Sequence, residues 1–126
     1  MNQAANYGKK LPYSTAECDA GPIIEAHPGK VVVRYDHPES DGIIWTQIIF
    51  SSAVAYRFTP DSASTELHVK AYSRICEITD SEWLNKLRQQ AQLHGLTIGK
   101  TLRHFMIYFD HHGSFEVIAE IYDIAG

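Results

Sequence analysis

Seven histidines are the first candidates for chemistry in this 126-residue chain. His104, His111 and His112 lie within nine positions that also include Asp110, and an Asp36-His37 pair occurs earlier. Imidazole and carboxylate groups together can bind a metal ion or act as a general base. Adjacent side chains at a turn diverge, however, and a turn excludes water poorly. We therefore predict no metal and no cofactor, and retain as an alternative a small metal-dependent hydrolase that uses Asp36, His37, His104, Asp110, His111 and His112.

The sequence contains none of the familiar patterns for nucleophilic catalysis or phosphate binding. There is no Gly-x-Ser-x-Gly elbow and no glycine-rich phosphate loop. Cys18 and Cys76 are 58 positions apart, which fits neither a zinc knuckle nor a disulfide scaffold. Glu116 and Glu120 would be roughly 13 Å apart on one strand, too far for a retaining carboxylate pair. The sequence therefore assigns no catalytic residue, and it predicts a solvated strand face at these two glutamates.

Composition and charge limit the classes of partner. The net charge is −4, and a sequence pI near 5.9 disfavours nucleic acid as a partner. No apolar run approaches the roughly 20 residues of a membrane helix, and the N-terminus lacks the apolar core of a signal peptide. These features predict one domain over residues 1–126, working in the cytoplasm without membrane contact. The charge is uneven, because residues 81–103 carry +3 and residues 104–126 carry −4.

Hydrophobic periodicity predicts the secondary structure. Residues 1–30 contain several prolines and glycines without a sustained period, so they read as an irregular N-terminal arm before a compact core at 31–126. The β-branched residues from Lys30 to Asp36 predict a strand that ends in a turn at 37–42. Ile43–Phe50 and residues 54–59 predict two more strands, or one long strand with a bulge near Ser51 and Ser52. In the next strand Val54, Tyr56 and Phe58 are expected to face the core, while Ala55, Arg57 and Thr59 face solvent.

A helix and a hairpin complete the predicted fold. Thr79 lies three residues before Glu82, as in a capping box, and this predicts an amphipathic helix over 80–94 that ends near Gly95 and packs on the sheet. Strands at 102–109 and 114–124 flank a turn at Asp110–Gly113, which predicts a C-terminal β-hairpin. The fold class is therefore α+β, with a mainly antiparallel sheet of about five or six strands. Six aromatic residues are expected in the core: Tyr56, Phe58, Trp83, Phe105, Tyr108 and Phe115.

Three segments carry a family resemblance. AYRFT at 55–59, AYSRICEITDSEWL at 71–84 and HFMIYFDHHGSFEVIAE at 104–120 resemble small uncharacterised bacterial proteins, some of which resemble immunity proteins of polymorphic toxin systems. The resemblance covers about half of the chain and consists of fold-forming residues. It implies a compact intracellular domain that binds and neutralises a toxin, and it brings no functional residue with it.

These observations favour a non-enzymatic protein-binding domain. An acidic hairpin could meet a basic partner, with apolar side chains as anchors. A small-ligand-binding protein remains the third alternative, and a homo-oligomer is compatible with all three. The predicted partner-binding residues are Trp45, Asp110, Glu116, Glu120, Tyr122 and Asp123.

Overall fold

The computed structural model describes residues 4–6, 8–65, 68, 71–96, 98–99 and 101–125. This part of the chain contains nine strands, one α-helix and one short 3-10 helix at Asp61–Ala63. The elements in chain order are β1 (Ala4–Asn6), β2 (Ile23–His27), β3 (Lys30–Glu39), β4 (Gly42–Ser51), β5 (Ala55–Pro60), β6 (Cys76–Thr79), α1 (Glu82–Leu93), β7 (Arg103–Phe109), β8 (Gly113–Ala119) and β9 (Ile121–Ala125).

The strands form two antiparallel sheets. The five-stranded sheet has the order β1-β6-β7-β8-β5, and the four-stranded sheet has the order β2-β3-β4-β9. The α+β class, the antiparallel pairing, the amphipathic helix and the hairpin between β7 and β8 are confirmed. The described residues form nine strands in two sheets, where one sheet of about five or six strands was expected.

The two sheets face each other across the main core. Along β3 and β4, alternate side chains such as Val33, Tyr35 and Phe50 are buried toward the five-stranded sheet. Phe105 and Phe109 meet them from β7, with tilted and edge-on ring contacts at centroid separations of 5.5–5.7 Å. Large apolar side chains at a period of two thus account for the stacking of the sheets.

The hairpin of β7 and β8 is buried on both of its faces. Phe105, Ile107 and Phe109 face the four-stranded sheet, whereas Met106 packs with Ala71 and Ile78 on the opposite side. Helix α1 covers another part of that opposite side, where Leu84 packs with Leu102 and Ile118. Strands that are covered on both faces need a nearly continuous run of apolar residues. The FMIYF segment of β7 and the SFEVIA segment of β8 are mostly apolar, as this burial requires.

The last predicted strand is divided between the two sheets. β8 pairs with β7 as far as Ala119, and the chain then crosses at Glu120 so that β9 pairs with β4.

At the other end of the hairpin, Gly113 has φ +135°, and a Cβ atom there would lie 2.1 Å from the carbonyl oxygen of Thr59. Glycine is therefore required by the close approach of β5.

The predicted burial of β5 is wrong. Tyr56 and Phe58 are about half exposed, because β5 is an edge strand with a neighbour on one side only. Arg57 was expected to face solvent and is 45% exposed, and its guanidinium group also binds the buried Glu116 carboxylate. Of the aromatic residues assigned to the core, Phe105, Tyr108 and Phe115 are buried and Trp83 is partly buried.

The predicted capping box is also wrong, although a helix does begin at this place. Ser81 is the N-cap residue, and its hydroxyl oxygen accepts a hydrogen bond from the Leu84 amide at 3.0 Å. Thr79 belongs to β6 instead, and its hydroxyl donates to the Ala4 carbonyl. The helix ends at Leu93, and Gly95 adopts the left-handed conformation expected after a helix.

The N-terminal segment is more ordered than the predicted irregular arm. It contributes β1 and β2 in the described residues, and residues 1–3 and 7 lie outside them. Leu11 joins the main core. Thr15 is buried, and its hydroxyl donates to the Tyr108 carbonyl at 2.8 Å. The sequence pattern could not predict these contacts, because the contacts join positions that are far apart in the chain.

Two phenylalanines of the five-stranded sheet test this burial pattern. Replacing Phe109, which is 0% exposed, with alanine should lower the free energy of unfolding by about 3–5 kcal/mol. Phe58→Ala is the matched control, because Phe58 is 48% exposed on the edge strand, and it should cost less than about 2 kcal/mol. Urea titration of both variants measures the difference. Equal losses would contradict the assignment of β5 to a half-exposed edge.

Candidate functional site

The predicted partner-binding residues do not form one surface. Glu116 is 2% exposed, so it does not lie on a solvated strand face as expected. Glu120 accepts a hydrogen bond from the Thr101 hydroxyl at 2.6 Å. Tyr122 packs against Phe50 and Phe105 at the border of the main core.

The other predicted partner residues lie in two separate places. Asp110 is at the hairpin tip beside His111, and its Oδ2 atom lies 3.5 Å from the Nε2 atom of His111. Trp45 is on β4 and Asp123 is on β9, and both belong to the outward side of the four-stranded sheet, since Thr46, Ile48 and Phe50 alternate with Trp45 toward the core. Trp45 and Asp123 therefore lie on a different sheet from the acidic residues of the hairpin.

We call this outward surface the Trp45 face, defined by Ile43, Trp45, Ile121 and Asp123. Ile43 is 59% exposed, Ile121 60% and Trp45 37%. The outward side of a two-sheet structure usually alternates polar residues with the buried ones, so exposed isoleucine and tryptophan side chains are unexpected there.

A buried carboxylate holds the loop next to Trp45. Asp36 lies directly opposite Trp45 in the β3–β4 register and accepts backbone N–H groups from Asp19, Ala20 and Gly21 at 2.8–3.1 Å. Burial alone would raise the pKa of Asp36, but these N–H groups outweigh it and leave the pKa lowered. The turn expected at 37–42 is shorter than predicted: β3 continues to Glu39 and β4 begins at Gly42, so Asp36 lies within a strand and its carboxylate holds the neighbouring loop.

A second group of polar side chains is buried between β8, β7 and α1. Three side chains surround the Glu116 carboxylate: Arg57, His104 and His68, whose Nε2 atom lies 3.6 Å from Oε2. The His104 Nε2 atom lies 2.7 Å from Glu116 Oε1, and the Arg57 guanidinium group donates to both carboxylate oxygens at 3.0 Å. Arg57 also stacks over the Trp83 ring, 4.2 Å from its centroid. Charge-assisted bonds of this kind satisfy a carboxylate that water cannot reach.

The same histidine continues the chain of hydrogen bonds to the helix. The Nδ1 atom of His104 lies 2.7 Å from the Ser81 hydroxyl oxygen, which also caps α1 through the Leu84 amide. The Trp83 and His104 rings are nearly perpendicular, with a centroid separation of 5.2 Å. We call Ser81, His104 and Glu116, with the half-exposed Arg57 that binds Glu116, the buried network.

Sequence reasoning missed the buried network, although one signal was present. In the predicted hairpin, Phe105 and Phe115 face the main core, so His104 and Glu116 must share the opposite face. The observed register pairs Met106 with Glu116, which places His104 diagonally across from it. The sequence could not show that α1 and the Arg57 side chain cover this face.

The pKa of Glu116 reflects these contacts. Burial alone would raise it, but hydrogen bonds from His104 and Arg57 outweigh burial and lower the pKa from 4.5 to about 2. Glu116 is therefore an ionised carboxylate over the whole physiological range.

The residues of the metal-hydrolase alternative are dispersed. Asp36 and His37 lie on β3, and His37 stacks on Tyr13, while His111 and His112 are at the hairpin tip. His104 is engaged in the buried network. Within the described residues, no group of three or more His, Cys, Asp or Glu side chains is placed to hold a metal ion.

The small-ligand alternative corresponds to one surface groove of about 520 Å³ beside β4. Lys9, Lys10 and Pro12 line one side, and Ile44 and Ile124 line the other. Its walls combine apolar surface with two basic side chains.

Comparison of the chain with protein-family models, with curated proteins and with solved structures gives no match. In the described part of the chain, α1 is too short and too polar to cross a membrane, and no other helix could do so. The candidate sites therefore rest on their geometry.

The pH dependence of stability tests the buried state of Glu116. Because its pKa is lower in the folded protein than in the unfolded chain, the ionised pair stabilises the fold above about pH 4.5, and this stabilisation is lost as the pH falls toward 2. The shift corresponds to about 3 kcal/mol. The difference in free energy of unfolding between the wild type and Glu116→Gln should shrink by this amount from pH 6 to pH 2.

Glu120→Gln is the matched control, since Glu120 is only partly buried. It should keep a nearly constant difference from the wild type over the same range. Chemical denaturation at several pH values gives both curves. If the free energies of unfolding of Glu116→Gln and the wild type differ by the same amount at every pH, Glu116 is not held as a buried ion pair.

Proposed function

We propose that this protein is a protein-binding domain and that the Trp45 face contacts a basic partner protein. The observation that carries the proposal is the exposure of Trp45 and Ile43 side by side on the outward side of a sheet. Tryptophan is enriched among the residues that dominate binding energy at protein interfaces. Two neighbouring apolar side chains on a β-strand present a rigid anchor at little entropic cost, because the sheet already fixes the backbone.

The charges around this surface favour a basic partner. Asp19 and Asp41 are exposed at the Trp45 end, and Asp123 is exposed on β9. Arg34 on the same side is paired with Glu25, so these two charges largely cancel. With a net charge of −4, the chain attracts basic proteins at long range, and complementary charge accelerates their encounter.

A bacterial toxin domain is the partner that we propose. The support for this step is the resemblance of residues 71–84 and 104–120 to immunity-like proteins, together with the acidic charge. Nuclease toxins bind nucleic acid through positive clefts, and an acidic protein with apolar anchors can cover such a cleft. The role of this chain would then be inhibition by occlusion.

The test uses the C-terminal domain of the protein encoded by the neighbouring gene. Binding of the purified wild type is measured by calorimetry, and Trp45→Ala should weaken it by at least about 30-fold, as loss of a hot-spot residue does. Phe58→Ala is the matched control, because Phe58 is a half-exposed aromatic residue on the other sheet. It should leave the affinity within about twofold.

Charge reversals locate the partner relative to the two acidic regions. Asp41→Lys and Asp123→Lys should slow association and reduce its dependence on salt, whereas Asp110→Lys at the hairpin tip should change neither. Absence of a complex would end the toxin-inhibitor proposal. If Asp110→Lys weakens binding and Trp45→Ala does not, the interface lies on the hairpin and not on the Trp45 face. A homodimer disrupted by Trp45→Ala would identify a second copy as the occupant.

A further inference from the structure

The buried network includes a serine hydroxyl that a sharp turn presents beside a cavity. β6 ends at Thr79, Asp80 adopts a left-handed conformation with φ +52°, and α1 begins directly after Ser81. A surface cavity of about 380 Å³ is lined by both Ser81 and His104, together with the side chains of Asn85 and Leu102. Its volume lies in the range of small-molecule sites.

The hydrogen-bond geometry determines where the protons lie. Glu116 is ionised and can only accept, so the Nε2 atom of His104 carries a hydrogen and donates it to the carboxylate. In the neutral imidazole Nδ1 then has no hydrogen, and it accepts the hydroxyl hydrogen of Ser81, whose oxygen accepts the Leu84 amide. The result is a hydroxyl, an imidazole and a carboxylate in line, in which the imidazole is the acceptor for the hydroxyl proton.

We propose that Ser81, His104 and Glu116 form a second functional site, which hydrolyses small acyl esters. Ser81 and His104 are the catalytic residues, because both line the cavity. Glu116 is a positioning residue that acts through His104. Arg57 holds the Glu116 carboxylate in place from the other side.

The reaction runs in two balanced halves. The Ser81 oxygen bonds to the acyl carbon while Nδ1 of His104 takes the hydroxyl proton, and the carbonyl electron pair moves onto oxygen. Collapse of this intermediate breaks the bond to the leaving alcohol, which receives the proton from Nδ1. Water then attacks the acyl-serine with the same base, and it releases the carboxylic acid and restores the Ser81 hydroxyl.

The electrostatic surroundings favour these steps. The N-terminus of α1 carries a partial positive charge next to Ser81, and this charge stabilises the negative oxygen that develops during attack. The carboxylate of Glu116 stabilises the imidazolium ion formed at His104, and its lowered pKa keeps it ionised. The Trp83 ring excludes water from one side of the imidazole.

Covalent labelling of the folded protein tests this proposal. A small alkyl fluorophosphonate should modify the wild type at a single position, and peptide mass spectrometry should locate the adduct at Ser81. Ser81→Asn should abolish labelling, since asparagine lacks a nucleophilic oxygen but is among the best N-cap residues and keeps α1 capped. His104→Gln should slow labelling by at least about 100-fold, the size of a general-base contribution.

Glu116→Gln separates positioning from a purely structural role. It should slow labelling and move its pH profile to lower pH, because the imidazolium ion loses the carboxylate that stabilises it. Circular dichroism of each variant verifies the fold, and the adduct position in the wild type does not depend on any variant. Failure of the folded wild type to react at Ser81, under conditions that modify a serine esterase, would overturn the proposal. So would labelling that is unchanged in His104→Gln.

Discussion

The rest of the structure depends on the burial of one negative charge. Glu116 is at the centre of a hairpin that is covered on both sides, and a carboxylate in such a place must be neutralised by partners. Arg57 on the edge strand β5 and His104 on β7 both bind this carboxylate. His104 also contacts Ser81, the N-cap residue of α1, so the helix is connected to the same group. Removing either partner would leave a buried charge, so this carboxylate fixes how three elements meet.

The sequence predicted local elements well, because they follow from side-chain period and turn chemistry. The strands at β3 and β4, the helix and the hairpin all have such patterns. What it could not predict was which faces become covered. Glu116 was assigned to solvent on the basis of alternation, yet it is buried, because alternation tells only which residues share a face. Coverage by α1 and the edge position of β5 depend on contacts between distant positions.

The two candidate sites lie on different sheets, and this separation makes them independent. The Trp45 face is on the outward side of the four-stranded sheet, while the buried network lies beyond the five-stranded sheet, with the main core between them. Substitutions without shared contacts have nearly additive effects on stability. Under the two proposals, a protein partner on the Trp45 face leaves the second cavity open, so each proposal can be tested without disturbing the other site.

The proton positions of His104 test the central claim, that hydroxyl, imidazole and carboxylate are joined in one buried chain. Long-range proton–nitrogen NMR spectra of the imidazole distinguish its two nitrogen atoms. The structure predicts a proton on Nε2 that exchanges slowly with water and an unprotonated Nδ1 that accepts from Ser81. An imidazole with its proton on Nδ1, or with both nitrogens averaged by rapid exchange with water, would contradict this account.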